Sequence, residues 1–431
     1  MKRSSALFVG SLVVLGLSAS CTSNGAGDDA SGTTEASGTT AGSEPTEGAP
    51  VLPEGCNALV EPGADAYAEV LGALMDANPG ETVCMSAGTF NFVDELSISG
   101  NGVTLRGAAR DTTILDFGGQ TVGGNGVKIT GDDVTITALT VKDTPGDGIR
   151  GDEVKNIVYD DVAVIWTEEA STNNGAYGFY PVGCDGVTIR NSLVVGARDA
   201  GIYVGQSTNV LVEDSEAYGN VAGVEFENTT DATVRRTHAH DNTAGILIFN
   251  LPGLPVKDGK RTLAYDNIIE NNNVPNFGEA GTVVAKVPPG IGFMVLAADN
   301  NEIRNNQIRG NVSTGVVIVH YSSELFESFD DAAFNIYAEG NYVHDNTFTG
   351  NGAAPADLIL GVTAGKKPGV DMLLDGCIDP DLANADGALS NCFPNNGAAT
   401  FLNFDLCQAN NGMTEDLETV NCMQPPLEGQ T

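Results

Sequence analysis

The stretch AGIYVGQSTNVLVEDSEAYGNVAGVEFENTTDATVRRTHAHDNTAGILIF, residues 200–249, says nearly the same thing three times. AGIYV, AGVEF and AGILI begin at Ala200, Ala222 and Ala244, 22 residues apart. Within each copy β-branched residues fall at every second position, as they do in strands, and Asn, Asp and Gly gather between the strands, as they do in turns. Strands this short cannot close a core singly, so the copies must stack.

Outward from this segment the same frame, aligned on its opening glycine, gives GVTLR at Gly102, GVKIT at Gly126, GIRGD at Gly148, GFYPV at Gly178, GFMVL at Gly292 and GVVIV at Gly315, with most steps 22 to 24 residues. A leucine-rich repeat needs regular leucines and an asparagine in a fixed frame, which are missing, and a propeller blade needs a longer period. One coil of this length holding three short strands fits a right-handed parallel β-helix, an all-β solenoid with coils about 4.8 Å apart. Asn220 and Asn242 fall at one corner of adjacent coils, as rungs of an asparagine ladder. The open end of the stack needs a cover, and residues 64–77, apolar at helical spacing, supply a helical cap.

The chain divides by composition into 1–21, an export signal; 22–55, a Ser/Thr/Gly/Glu-rich tether that cannot bury a core; 56–353, the β-helix; and 354–431, a Cys-containing extension that is either a cap or an appended module. Small residues before Cys21 resemble a lipobox, which makes Cys21 a lipidation site and puts the protein in the periplasm or at the cell surface, membrane-anchored by lipid alone. An ordinary signal cleaved nearby is the alternative, because Leu17 stands four residues before Cys21 where the usual pattern has three. Eight cysteines in an exported chain favour disulfides. Cys56 and Cys84 bracket one segment, Cys377, Cys392, Cys407 and Cys422 lie 15 apart, and Cys184 is left as a buried thiol. A net charge of −37 makes nucleic acid an unsuitable partner.

The coils and the PGETV…AGTF entry resemble right-handed β-helix proteins of the pectin-lyase-like type. NGAYGFYPV (174–182), DAGIYVGQS (199–207), FNLPGLP (249–255) and NNNVPNF (271–277) are similar to a family of exported bacterial parallel β-helix domain-containing proteins. The resemblance covers roughly residues 64–351. It implies the fold, export and, from the neighbourhood of a dihaem cytochrome gene, a c-type cytochrome as partner; it carries no catalytic residues.

In the first strand of each coil, residues two and four places after the glycine should face solvent. That gives one row of Lys128, Arg150, Tyr180, Tyr203, Glu225, Leu247, Met294 and Val317, and a second of Thr130, Asp152, Val182, Gly205, Glu227, Phe249, Leu296 and Val319. Insertions at 166–176, 250–261, 272–289 and 321–335 border these strands and should wall a groove. An aromatic groove with carboxylates and an arginine suits a polysaccharide. Arg150 would neutralise substrate charge, Tyr203 would move a proton, and Glu225 with Glu227 would serve as acid, base or cation ligands in a lyase, hydrolase or epimerase. Asp152, Tyr177, Tyr180, Gln206, Phe249, His320 and Tyr321 would contact substrate. Carboxylates on exposed strands are also ordinary solubilising groups, and the DPHD motif of alginate epimerases is absent. Asp143, Asp147 and Asp152 could gather Ca²⁺, although no strict DxDxDG pattern is present. His238 and His240, beside Glu216 and Tyr218 one coil back, could hold a metal or act as an acid/base pair, or be plain surface histidines. A second class of function, a non-catalytic scaffold docking a protein partner, rests on the apolar end of the face: Leu247, Phe249, Met294, Leu296 and Val319.

Overall fold

The computed structural model describes residues 52–323, 325, 326, 328–365, 369–380 and 390–429; the signal segment with Cys21, and tether residues 22–51, lie outside them. The described chain winds as a solenoid, with an 11-stranded and a 19-stranded sheet running its length. The coil that begins at Ala200 gives Ala200–Gly205 to the smaller sheet, then Thr208–Glu213 and Glu216–Tyr218 to the larger. Each pairs in parallel with its counterpart 22 residues on, Ala200 with Ala222, Thr208 with Thr230 and Glu216 with His238.

The recurring glycine has a steric cause. A Cβ at Gly178 would lie 2.5 Å from the carbonyl oxygen of Gly201 in the next coil, one at Gly245 2.5 Å from that of Gly292, and one at Gly292 2.4 Å from that of Gly315. Coils can therefore stack this closely only where the strand begins without a side chain. The Asn and Asp corners have a different cause: Asn209, Asp214, Asp231, Asp241 and Asp266 sit at φ of 49 to 57°, the left-handed region these residues tolerate.

Inward residues pile into columns. Val127, Ile149, Phe179, Ile202, Val224, Ile246, Phe293, Val316 and Met372 follow one another coil by coil, all fully buried. At the corner before each first strand the side-chain amides of Asn220, Asn242, Asn272, Asn311 and Asn351 donate one to the next at 3.0 to 3.2 Å, so buried polar groups are paired along the stack. A second ladder joins Asn267, Asn306, Asn346 and Asn396, and a third joins Asn301, Asn341 and Asn391. The ladders thus reach into the cysteine-bearing segment, whose strands Val370–Leu374 and Phe401–Asn403 also continue the 11-stranded sheet.

The N-terminal helix, Ala66–Asp76, buries Ala66, Val70 and Leu74 over the first coil. Disulfides link Cys56 to Cys84, Cys377 to Cys407 and Cys392 to Cys422, and Cys184 is a buried free thiol. One copy in the sequence frame is displaced: GVTLR at Gly102 supplies Thr104–Arg106 to the 19-stranded sheet, and the first-strand position before Val127 is filled by Leu96–Ile98. Both segments alternate with period 2, so the pattern alone does not tell the sheets apart.

Candidate functional site

The outward columns fall where the frame puts them. Lys128 pairs with Arg150 and Arg150 with Tyr180, while farther along Tyr203, Glu225, Leu247, Met294 and Val317 are successive register partners. The expected exposure does not hold along the whole face. Tyr203 is only 4% exposed, Glu225 3%, Leu247 0% and Phe249 1%. Phe277, Val284 and Val287 of the 272–289 insertion, Tyr321 and Phe334 of the 321–335 insertion, and Ile359, Phe404 and Leu406 beyond them pack onto it as a second hydrophobic core. The apolar end, Leu247, Phe249, Met294, Leu296 and Val319, is therefore interior and offers no docking surface, and Phe249 is out of reach of a ligand. The single long groove becomes an open stretch at one end, a covered middle, and a cavity at the other end.

The open stretch carries Lys128, Arg150, Asp152 and Tyr180, all part-exposed. Arg150 Nη2 donates to Asp152 Oδ1 at 3.1 Å, Lys128 Nζ lies 3.7 Å from Asp152 Oδ2, and the guanidinium sits 4.8 Å from the Tyr180 ring centroid. Arg150 Nε is buried with no hydrogen-bond partner. Tyr177, Tyr180 and Tyr203 form a three-ring cluster with centroids 4.5 to 5.1 Å apart.

Beside these rings stands a group of carboxyls. Tyr203 Oη donates to Glu227 Oε1 at 2.8 Å, and burial lifts Glu227 to about 7 against that bond. Asp199, which the sequence reading passed over, is raised to about 8 by burial and by Glu227, with Tyr177 and Arg198 opposing. Burial, then Asp199 and Glu227, push Glu225 well above the carboxylate range, and its Oε2 has no hydrogen-bond partner. Asp147 is raised to about 6 by burial, opposed by hydrogen bonding from the Tyr177 backbone. Asp199 at about 8 and Glu227 at about 7 stand near neutrality, and Glu225 is pushed in the same direction. Arg198 pairs with Glu279, tying the 272–289 insertion to the corner beside this cluster. Gln206 is a corner residue at φ 53°, its backbone N–H donating to the Glu227 carbonyl at 2.7 Å.

His320 and Tyr321 stand apart, about 24 Å from the Tyr180 coil at five coil spacings. They line a 760 Å³ cavity with Phe329, Asp357, Leu406 and Asn410 among its walls. His320 Nδ1 lies 2.7 Å from Asp375 Oδ2, which also accepts the His320 backbone N–H at 2.6 Å; Asp375 Oδ1 accepts from Cys377 N–H at 3.0 Å. A carboxylate held this way fixes the ring with its Nδ1 proton toward Asp375 and leaves Nε2 to act as a base or a ligand. Asp375 is absent from the sequence frame because a long insertion separates it from the last regular coil.

The three aspartates considered for Ca²⁺ do not converge. Asp152 is engaged by Arg150 and Lys128, Asp143 by Thr167 and Lys142, and Asp147 by the Tyr177 backbone. Among the described residues, Glu216, His238 and His240 bring three ligand atoms close together; His320 lies equally near Cys377 and Cys407, whose sulfurs are joined to each other in a disulfide.

The family model described as right handed beta helix region matches residues 125–258. No curated protein matches at the level of sequence. The A-module of mannuronan C-5 epimerase AlgE4 from Azotobacter vinelandii is similar in structure, at 15% identity and a TM-score of 0.50, over 74% of this chain and 92% of that one. The A-module of AlgE6 from the same organism is similar at 18% identity and a TM-score of 0.50, over 76% and 87%. At these identities the likeness speaks for the fold. The chain has the right-handed parallel β-helix fold, which it shares with these epimerase modules.

Proposed function

We propose that the protein binds an extended glycan on the open end of its first-strand sheet, and that it works outside the cytoplasm, anchored through lipidated Cys21. The observation that carries this is the Arg150–Tyr180 stack, flanked by Asp152 and Lys128, on the stretch of the face that the loops leave open. With the guanidinium over the Tyr180 ring and Tyr177 packed against it, the open edge of the ring can meet sugar C–H groups, while Arg150 and the Asp152 carboxylate can bond hydroxyls or an acidic substituent. That the fold is shared with mannuronan C-5 epimerase modules agrees with a polysaccharide ligand. Three disulfides agree with an oxidising compartment.

In this reading Arg150, Asp152, Tyr177 and Tyr180 recognise the sugar. Proton transfer falls to Glu227, which is half-buried and titrates near neutrality; Tyr203 and Glu225 lie beneath it and act by positioning and by holding it in a low-polarity setting. Among the described residues Asp143, Asp147 and Asp152 are not gathered as a Ca²⁺ ligand set, and a cytochrome partner keeps the sequence resemblance as its support, since the apolar strip that favoured docking is interior.

The test is a glycan array, followed by incubation with acidic and neutral polysaccharides while watching for new reducing ends or unsaturated products. Retention of a glycan by the wild type, weakened ~10-fold or more by Tyr180→Ala or Arg150→Ala with the melting temperature unchanged, is expected. If no glycan is retained, or His320→Ala alone removes binding, the open stretch is not the site.

A further inference from the structure

The third strands of the coils carry a cluster that glycan binding does not use. Glu216–Tyr218 and His238–His240 pair in parallel, setting Glu216 beside His238 and Tyr218 beside His240. His240 Nε2 lies 3.0 Å from Glu216 Oε1, and its Nδ1 lies 2.7 Å from Asp241 Oδ2. The His238 ring stacks on that of His240 at 4.0 Å, and His238 Nε2 is 2.9 Å from Glu270 Oε1. One ligand atom from each of Glu216, His238 and His240 falls within 4.8 Å of the other two. The three side chains are 47, 34 and 18% exposed, so an ion can reach them.

We propose that Glu216, His238 and His240 bind a divalent transition metal, with Zn²⁺ as the reference ion. Two imidazoles and one carboxylate are the donors that suit Zn²⁺ and its neighbours, whereas Mg²⁺ and Ca²⁺ prefer oxygen alone. Tetrahedral zinc needs ligand atoms about 3.3 Å apart, so side-chain rotation within an established strand pair closes the set. Asp241 on His240 Nδ1 is the outer carboxylate that fixes the ring of a metal-bound histidine. Three protein ligands leave coordination open, and Glu216 and His238 also line a 430 Å³ groove with Arg110, Ser215 and Arg236, so the open position would face that groove.

The molecule contains its own comparison. His344 is bracketed in the same way, Nδ1 by Asp345 at 2.6 Å and Nε2 by Glu302 at 3.0 Å, but Tyr342 stands where His238 stands two residues before His240. A bridging histidine is therefore a recurrent corner device, and the second imidazole is what turns one copy into a metal site.

Tag-free full-length protein, stripped with chelator, is titrated with Zn²⁺ by calorimetry and separately with Co²⁺ by visible absorption. One equivalent of Zn²⁺ binding with a Kd below about 10 µM is expected. His238→Ala, His240→Ala and Glu216→Gln should each weaken it ~10-fold or more, while His344→Ala and His320→Ala leave it unchanged. Circular dichroism and melting confirm that each variant is folded, and Glu216→Gln, an exposed isosteric change, serves if the histidine variants are not. Absence of binding at 100 µM Zn²⁺, survival of binding in the His238→Ala/His240→Ala double variant, or equal loss in His344→Ala overturns the proposal. The glycan array is indifferent to each of these outcomes.

Discussion

Tyr203 reaches Glu227 across one coil by lying over the bare backbone of Gly205, its Oη 2.8 Å from Glu227 Oε1 and 2.5 Å from where a Gly205 Cβ would stand. Gly205 pairs with Glu227 in the register, so the missing side chain leaves the space through which the two groups meet. Ring carbons of Tyr203 lie 2.6 and 2.8 Å from the same point, so a methyl group there must push the whole ring aside.

Gly205→Ala is accordingly expected to destabilise the fold by about 1–3 kcal/mol, the usual cost of overpacking, and to break the Tyr203–Glu227 bond. Gly72→Ala, inside the N-terminal helix with nothing near its Cβ, is the control and should stabilise by about 0.5–1 kcal/mol. Urea denaturation midpoints measure both. Equal midpoints for Gly205→Ala and wild type would show that Tyr203 is not held as described.

The carboxyl cluster makes stability depend on pH in a definite direction. Burial raises Asp199 from 3.8 to about 8, Glu227 from 4.5 to about 7 and Asp147 from 3.8 to about 6. Above pH 5 the unfolded chain has released these protons while the native state still holds them, so stability falls as pH rises and levels off past about 8. Asp185, drawn down by hydrogen bonds from Asn209 and Thr208, and Asp214, drawn down by Arg236, act oppositely but only near and below their ordinary values. The denaturation midpoint should drop from pH 5 to pH 8, and Glu227→Gln, which keeps an acceptor for Tyr203, should flatten the drop. A midpoint that is level or rises over this range would sink this account.

Much of this was legible in the sequence, and the failures have physical causes. The 22-residue spacing, the inward Val, Ile and Phe columns and the Asn220–Asn242 rung depend on local alternation and corner chemistry, which a sequence displays directly. Exposure was misjudged because AGILIF, GFMVL and GVVIV are apolar at every position, the pattern of a strand covered on both faces, whereas the frame counted only which way each residue points. A visible clue was missed at Asp199: the matching positions in the next two copies are Val221 and Thr243, so a carboxyl there breaks the repeat. Asp375 was beyond reach, since its pairing with His320 spans 55 residues and leaves no local trace.

The cover over the middle of the face should behave as a separately held layer. The Arg198–Glu279 pair joins the 272–289 insertion to the corner before Ala200–Gly205, with Glu279 60% exposed, so solvent limits its worth to about 1 kcal/mol or less. Phe277, Val284 and Val287 are buried and hold the insertion by packing on the sheet. Glu279→Gln should therefore leave the global denaturation midpoint nearly unchanged, yet speed hydrogen exchange at the insertion's amides. Phe277→Ala, which removes a buried ring, should speed it further and carry the exchange of Tyr203 and Glu225 amides with it only if the cover and the sheet open together. Because those two strand amides are bonded within the sheet, the expected result is fast exchange in 272–289 and continued protection at Tyr203 and Glu225. Exchange of the insertion that is as slow in Phe277→Ala as in the wild type would mean that this packing does not hold the cover down.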